Sequence, residues 1–146
     1  MTDLWRLDAT EQARLIRTGA ISSVELTKAT LARVDSVNPK INAIVDLLAD
    51  DALKAAADAD KKTRKGEPLG SLHGVPVTVK INVDFAGRAN TNGVVAYKDN
   101  IGKEDNPVVS NIRKSGAVII GRTNTPAFSM RWFTDNALHG RTLNPR

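Results

Sequence analysis

The chain has 146 residues, enough for one compact unit and too few for two ordinary domains. It contains no cysteine, which excludes a disulfide scaffold, cysteine-ligated zinc or iron–sulfur sites and a thiol nucleophile. The net charge of +5 arises from basic residues scattered singly over the second half, whereas nucleic-acid binders usually cluster them, so we expect no nucleic-acid partner.

Hydropathy gives no sign of a membrane or export signal. Hydrophobic residues make up 41% of the chain and charged residues 25%, which is typical of a globular protein. No apolar run approaches the roughly 20 residues of a membrane span, and charged residues interrupt the N-terminus. We therefore expect a soluble, cytoplasmic protein that makes no membrane contact.

The first 65 residues are expected to be mainly helical. A short helix is predicted around residues 10–17. Ser22 and Glu25, three residues apart, form the pattern of a capping box at the start of a second helix. An apolar stripe at helical spacing continues that helix through Val24, Thr27, Leu31 and Val34. Asn38 and Pro39 are predicted to end it.

A third helix is predicted from about residue 47 to residue 65, with small alanines along one side. The basic run at residues 61–65 comes just before Gly66, where cations complement a helix C-terminus and glycine supplies a left-handed cap. We prefer this capping interpretation to a polyanion-binding patch.

Residues 66–146 alternate strand and helix. Residues 75–80 form an apolar, β-branched strand; Pro107 starts a helix that Gly116 ends; and residues 117–120 form a second apolar strand. The predicted fold class is therefore α/β, with a helical N-terminal layer followed by βαβ elements of a mixed sheet.

Lys80 closes the first strand of this region, which is an unusual place for a lysine. One interpretation has its ammonium reaching solvent or pairing with Asp84. The other has a buried lysine that accepts a proton, because burial favours the neutral amine. The residues alone favour the first interpretation.

Residues 70–80 strongly resemble the lysine-bearing segment of the amidase signature family. The similarity continues through residues 82–93 and 115–126, and on to Asn144 and Pro145. The helical first half also resembles the entry of such enzymes. The resemblance thus extends over essentially the whole chain, and it is most specific around Lys80.

The resemblance implies a hydrolase that cleaves the C–N bond of a small-molecule amide with a Ser–cis-Ser–Lys triad. Lys80 would be the catalytic lysine, and neither a metal nor an organic cofactor is implied. Four residues match a family segment that contributes to the acyl-binding channel, with ordinary core packing as the alternative: Phe128, Ser129, Met130 and Trp132.

The family places both serines in a Gly/Ser-rich segment shortly after the match to Asn144 and Pro145, and these 146 residues contain no such segment. We therefore expect residues 1–146 to be the N-terminal part of one larger amidase domain, inactive alone, with Arg146 at a cut or an edge. A second chain carrying the serine segment is the expected partner, and a homodimer of the complete enzyme is compatible with this arrangement.

Some positions depart from the family pattern. Ile81 and Ala127 stand where acidic residues are common, and His139 stands where an aromatic residue is frequent. Both histidines, His73 and His139, are expected to order loops and not to take part in chemistry. Two alternatives stay open: an aminoacyl-tRNA amidotransferase of the A type within the family, and a non-catalytic α/β binding module or relic fragment outside it.

Overall fold

The computed structural model describes residues 3–146. Its helices and strands follow one another in the order α1 (Ala9–Arg17), α2 (Ser23–Ile41), β1 (Ile44–Leu47), α3 (Ala49–Arg64), β2 (Pro76–Lys80), α4 (Pro107–Lys114) and β3 (Val118–Thr123). Short 3₁₀ turns lie at Leu4–Arg6, Val95–Tyr97 and Ala127–Ser129. No helix among residues 3–146 combines the length and apolar character needed to cross a membrane.

The three strands form one mixed sheet in the order β1-β3-β2. β1 pairs antiparallel with β3 and places Asp46 opposite Arg122. β2 runs parallel to β3, because the N–H of Gly74 donates to the carbonyl of Gly116 and the N–H of Ile81 donates to that of Thr123. The predicted mixed α/β class is confirmed. The strand β1, by contrast, is not predicted by the sequence pattern.

The capping box at the start of α2 is confirmed. The N–H of Glu25 donates to Ser22 Oγ at 3.0 Å, and the N–H of Ser22 donates to the Glu25 carboxylate at 2.8 Å. This reciprocal pair satisfies backbone donors that a helix N-terminus leaves without a partner.

The predicted end of α2 is wrong, because the helix passes through Pro39 and ends at Ile41. Proline removes one helical hydrogen bond there, but the side chain of Asn38 holds the following residues. Its oxygen accepts from the N–H groups of Ala43 and Ile44, and its amide donates to the carbonyl of Ile44 at 2.8 Å. A side chain inside the helix thus connects α2 to the start of β1.

The chain forms two compact units that interleave along the sequence. The first comprises residues 3–36, 48–77 and 111–120, and the second comprises residues 37–47, 78–110 and 121–146. Each unit takes segments from both sides of residue 66, so the change of pattern there does not coincide with the division into units.

The first unit packs its helices around an apolar cluster of Leu31, Ala52, Ala56, Val118 and Ile120. The buried alanines of α3 have short side chains and let neighbouring backbone approach closely. α3 ends at Arg64, followed by Gly66 at φ 67°, which confirms the predicted cap.

A carboxylate from α3 stabilises the beginning of α2 within the same unit. The backbone N–H groups of Ser23 and Val24 both donate to Asp60, at 2.7 and 3.2 Å. Negative charge is favourable at a helix N-terminus, so Asp60 is a buried carboxylate with satisfied hydrogen bonds.

Candidate functional site

Lys80 is the last residue of β2 and lies in the second unit. Its neighbours Val79 and Ile81 are buried, whereas the side chain of Lys80 itself is exposed. Strand alternation explains this difference, because successive side chains point to opposite faces. The burial expected of a proton-accepting lysine is therefore not provided by residues 3–146.

A small polar cluster lies immediately after Lys80. The side-chain amide of Asn82 donates to Ser129 Oγ at 3.1 Å, and Ser129 Oγ lies 2.8 Å from Thr125 Oγ1. Thr125 is fully buried just after β3. The structure thus brings Ser129, one of the residues expected to contact substrate, to the turn that follows Lys80.

The turn that carries Ser129 has an unusual backbone. Phe128 and Ser129 adopt φ values of 53° and 60°, a left-handed conformation that is rare for bulky side chains and costs about 1–3 kcal/mol per residue. The N–H of Phe128 donates to the carbonyl of Asn92, and the Phe128 ring packs edge-on against Tyr97 at 5.8 Å. These contacts hold the strained turn in place.

The segment around this turn is exposed. Phe128 is half exposed, Met130 is 82% exposed and Trp132 is fully exposed, and Ser129 also lies at the surface. These side chains are therefore not packed in the core that the described residues form. Large apolar side chains left at a surface are typical of a binding or interaction site.

Arg122 is a buried cation that the sequence analysis counted only as one of the scattered charges. Its side chain is 1% exposed and donates to Asp46 at 3.3 Å, to the carbonyl of Ala89 at 2.8 Å and to that of Ile81 at 3.1 Å. Burial lowers the pKa of Arg122, and the charge of Asp46 partly opposes this shift. The available signal was its position two residues beyond the apolar run 117–120, where an arginine that is buried needs internal partners.

Both histidines are engaged within their own units. His73 Nε2 lies 3.0 Å from the carbonyl of Ala59 and 3.1 Å from Thr63 Oγ1 in the first unit. His139 Nε2 lies 3.0 Å from Thr91 Oγ1 in the second. Burial, and secondly the charge of Arg122, lowers the pKa of His139. These contacts agree with the expectation that the histidines order loops.

The match to known families extends over most of the chain: the family model described as Amidase matches residues 25–146, a range that includes Lys80 and the 128–132 segment. The chain belongs to the amidase signature family. The expectation drawn from residues 70–80 is thereby confirmed at the level of the family.

Similar amidase-family proteins are found among both sequences and solved structures. An indoleacetamide hydrolase of Bradyrhizobium diazoefficiens is 57% identical over 97% of this chain, which spans 27% of that protein. The A-type component of the glutamyl-tRNA(Gln) amidotransferase of Salinispora tropica is 38% identical over 99% of the chain and 30% of its own length. The solved structure of a fatty acid amide hydrolase matches with a TM-score of 0.94 and 31% identity, over 99% of this chain and 26% of that one. The chain thus spans less than a third of the length of these relatives.

Proposed function

We propose that these residues are the lysine-bearing part of an amidase signature hydrolase that cleaves the C–N bond of a small carboxamide. The observation that carries the proposal is the position of Lys80 at the end of β2, inside the segment that matches the family. In this proposal residues 1–146 are the N-terminal part of a single amidase domain, with residues 1–65 mainly helical and residues 66–146 carrying the lysine.

Lys80 acts as the proton acceptor of a Ser–cis-Ser–Lys triad. Its neutral amine takes a proton from the middle serine, which takes one from the nucleophilic serine as that oxygen attacks the amide carbonyl. The amine product leaves with a returned proton, and water then hydrolyses the acyl-enzyme. Backbone N–H groups of a Gly-rich turn stabilise the oxyanion.

The serines and the oxyanion turn come from a second chain that carries the Gly/Ser-rich segment. Lys80 is exposed in residues 3–146, so a covering segment would remove its amine from water and favour the neutral form. Ile81, buried directly beside it, supplies no carboxylate that would stabilise the ammonium. Both features support a lysine that becomes a base only on assembly.

The acyl part of the substrate lies against Phe128, Ser129, Met130 and Trp132. Three of these side chains are large, apolar and exposed, and an aromatic ligand would pack favourably on them. The identity of 57% to an indoleacetamide hydrolase supports an aromatic primary amide as the substrate class.

The amidotransferase role of the A type is the second candidate, supported by the 38% identity to the Salinispora protein. It would require glutamine as the amide and additional partner proteins. An assembled protein that hydrolyses arylacetamides and shows no activity with glutamine would exclude it.

Substitution of Lys80 tests the proposed mechanism in the assembled enzyme. Lys80→Ala is expected to lower amide turnover by orders of magnitude with little change in melting temperature. Lys80→Arg is expected to be equally inactive, since a guanidinium cannot become neutral at usable pH. Lys98→Ala, which removes another exposed lysine of the same unit, is the matched control. Near wild-type turnover by Lys80→Ala would refute the assignment.

The need for a second chain has its own test. Intact-mass measurement of every polypeptide in the purified sample should reveal a chain bearing the Gly/Ser-rich segment. Residues 1–146 alone should show no amide hydrolysis, and adding that chain should restore it. Hydrolysis by residues 1–146 alone would contradict the proposal, whereas a folded chain with neither partner nor activity would favour the binding module.

A further inference from the structure

We infer that Ser129 is a positioning residue for Lys80, acting through Asn82; this inference rests on the proposed role of Lys80 as the base. The Ser129 hydroxyl holds the side chain of Asn82 and thereby fixes the turn into which the lysine-bearing strand runs. This role comes in addition to any contact that Ser129 makes with substrate.

Backbone bonds hold the turn after Lys80 on either side of Asn82, where Arg122 donates to the carbonyls of Ile81 at 3.1 Å and Val83 at 3.4 Å. The N–H of Ile81 donates to the carbonyl of Thr123 at 2.9 Å, and the N–H of Val83 donates back to the carbonyl of Lys80 at 3.0 Å. Asn82 lies between Ile81 and Val83, and its side-chain oxygen has no partner among the described residues. Its bond to Ser129 Oγ is therefore the side-chain attachment that defines the direction of this residue.

Ser129 is itself held firmly enough to act as an anchor. Its hydroxyl pairs with that of Thr125, which is fully buried at the end of β3. Its backbone N–H donates to the carbonyl of Pro126 at 2.8 Å. The hydroxyl therefore connects the end of β3 to the turn that follows β2.

The backbone conformation supports a requirement for the hydroxyl. At φ 60°, glycine or asparagine would be accommodated at lower cost than serine. Serine nevertheless occupies the position, and its hydroxyl is the group that contacts both Asn82 and Thr125. The cost of the strained turn is offset by the contacts that it makes.

Ser129 also differs from its neighbours in what its side chain can do. Phe128, Met130 and Trp132 present apolar surface that is free to contact an acyl group. The Ser129 oxygen is already engaged with Asn82 and Thr125. Loss of a substrate contact raises KM, whereas loss of a group that aligns the base lowers kcat.

The test uses the assembled enzyme with Ser129→Gly, Asn82→Ala and the double variant. Glycine tolerates the left-handed backbone, so this substitution removes the hydroxyl without adding strain. Each single variant should lower kcat between about 10- and 100-fold, because small displacements of a catalytic group cost that much, and Asn82→Ala should do so with KM nearly unchanged. Both should shift the pH at which the rate is half-maximal in the same direction.

The double variant decides whether the two residues act through one contact. We expect its kcat to equal that of the single variant with the lower kcat, since both substitutions remove the same bond. Lys103→Ala, at an exposed position of the same unit, is the control and should leave kcat and KM unchanged. The inference would be overturned if Ser129→Gly raised KM alone. It would also be overturned if the fold losses of kcat in the two single variants multiplied in the double variant. Failure of the proposed function itself would appear separately, as an active Lys80→Ala.

Discussion

The side-chain amide of Asn136 donates to the side-chain oxygen of Asn124 at 2.8 Å, twelve residues earlier in the chain. The same amide donates to the carbonyl of Thr125, and the Asn136 oxygen accepts the N–H groups of Leu138 and His139. One asparagine thus satisfies four hydrogen-bonding positions and holds the loop at residues 136–140 against the end of β3.

Asn136→Ala should destabilise the second unit. Removing the side chain leaves part-buried polar groups without partners, so the free energy of unfolding should fall by about 1–3 kcal/mol. Amide hydrogen exchange at Leu138 and His139 should accelerate, because both lose their acceptor. Asn111→Ala, at an exposed position of α4, is the control and should change stability by no more than about 0.5 kcal/mol.

Gly70→Ala should destabilise the first unit by a steric effect. A Cβ at this position would overlap the carbonyl oxygen of Ser115, and that backbone atom cannot move aside easily. We expect a loss of about 3 kcal/mol in thermal or chemical unfolding, the upper end for overpacking. Gly19→Ala is the comparison, since no described residue lies near a Cβ at that position and only its φ of 72° opposes alanine. Equal losses from the two variants would contradict the steric explanation.

Arg122→Ala should be among the most destabilising substitutions in the second unit. It removes a buried cation that bonds Asp46 and the carbonyls of Ala89 and Ile81, so we expect a loss of about 3–5 kcal/mol in unfolding free energy. Arg122→Lys should recover only part of this loss. It keeps a positive charge, but one ammonium cannot reproduce the guanidinium geometry. Arg131→Ala, at an exposed position of the same unit, should have little effect.

His139 should make the second unit sensitive to mild acid. Its pKa in the folded chain is lowered, first by burial and then by Arg122, so the folded state resists protonation more than the unfolded state does. The corresponding stability is present above the usual histidine pKa of about 6.5 and is lost as the pH falls through the lowered value.

Melting temperatures between about pH 8 and pH 5 would measure this effect. The wild-type protein should lose more stability over that range than His139→Gln, whose side-chain amide can still reach Thr91 but does not titrate. Parallel curves for the two proteins would show that His139 makes no such contribution.

Sequence patterns predicted correctly those features that depend on residues close together in the chain. The Ser22 and Glu25 capping box, the left-handed Gly66 after α3 and the end of α4 shortly before Gly116 were all predicted from residues a few positions apart. Lys80 at the end of a strand, within a segment that matches a family, was likewise visible in the sequence. Side chains and caps that interact over one helical turn leave a readable spacing.

Long-range contacts decided the rest. β1 is four residues long and exists because β3 pairs with it, and Pro39 stays inside α2 because Asn38 holds the residues beyond it. Asn82 and Ser129 meet across 47 residues of chain, a contact for which neither residue type gives a local signal. The exposure of Lys80 depends in the same way on which segments cover it. The sequence by itself therefore determined the locally capped helices, the two apolar strands and the family. Only the tertiary structure decided β1, which polar groups meet and which remain uncovered, since burial is a property of the packed chain.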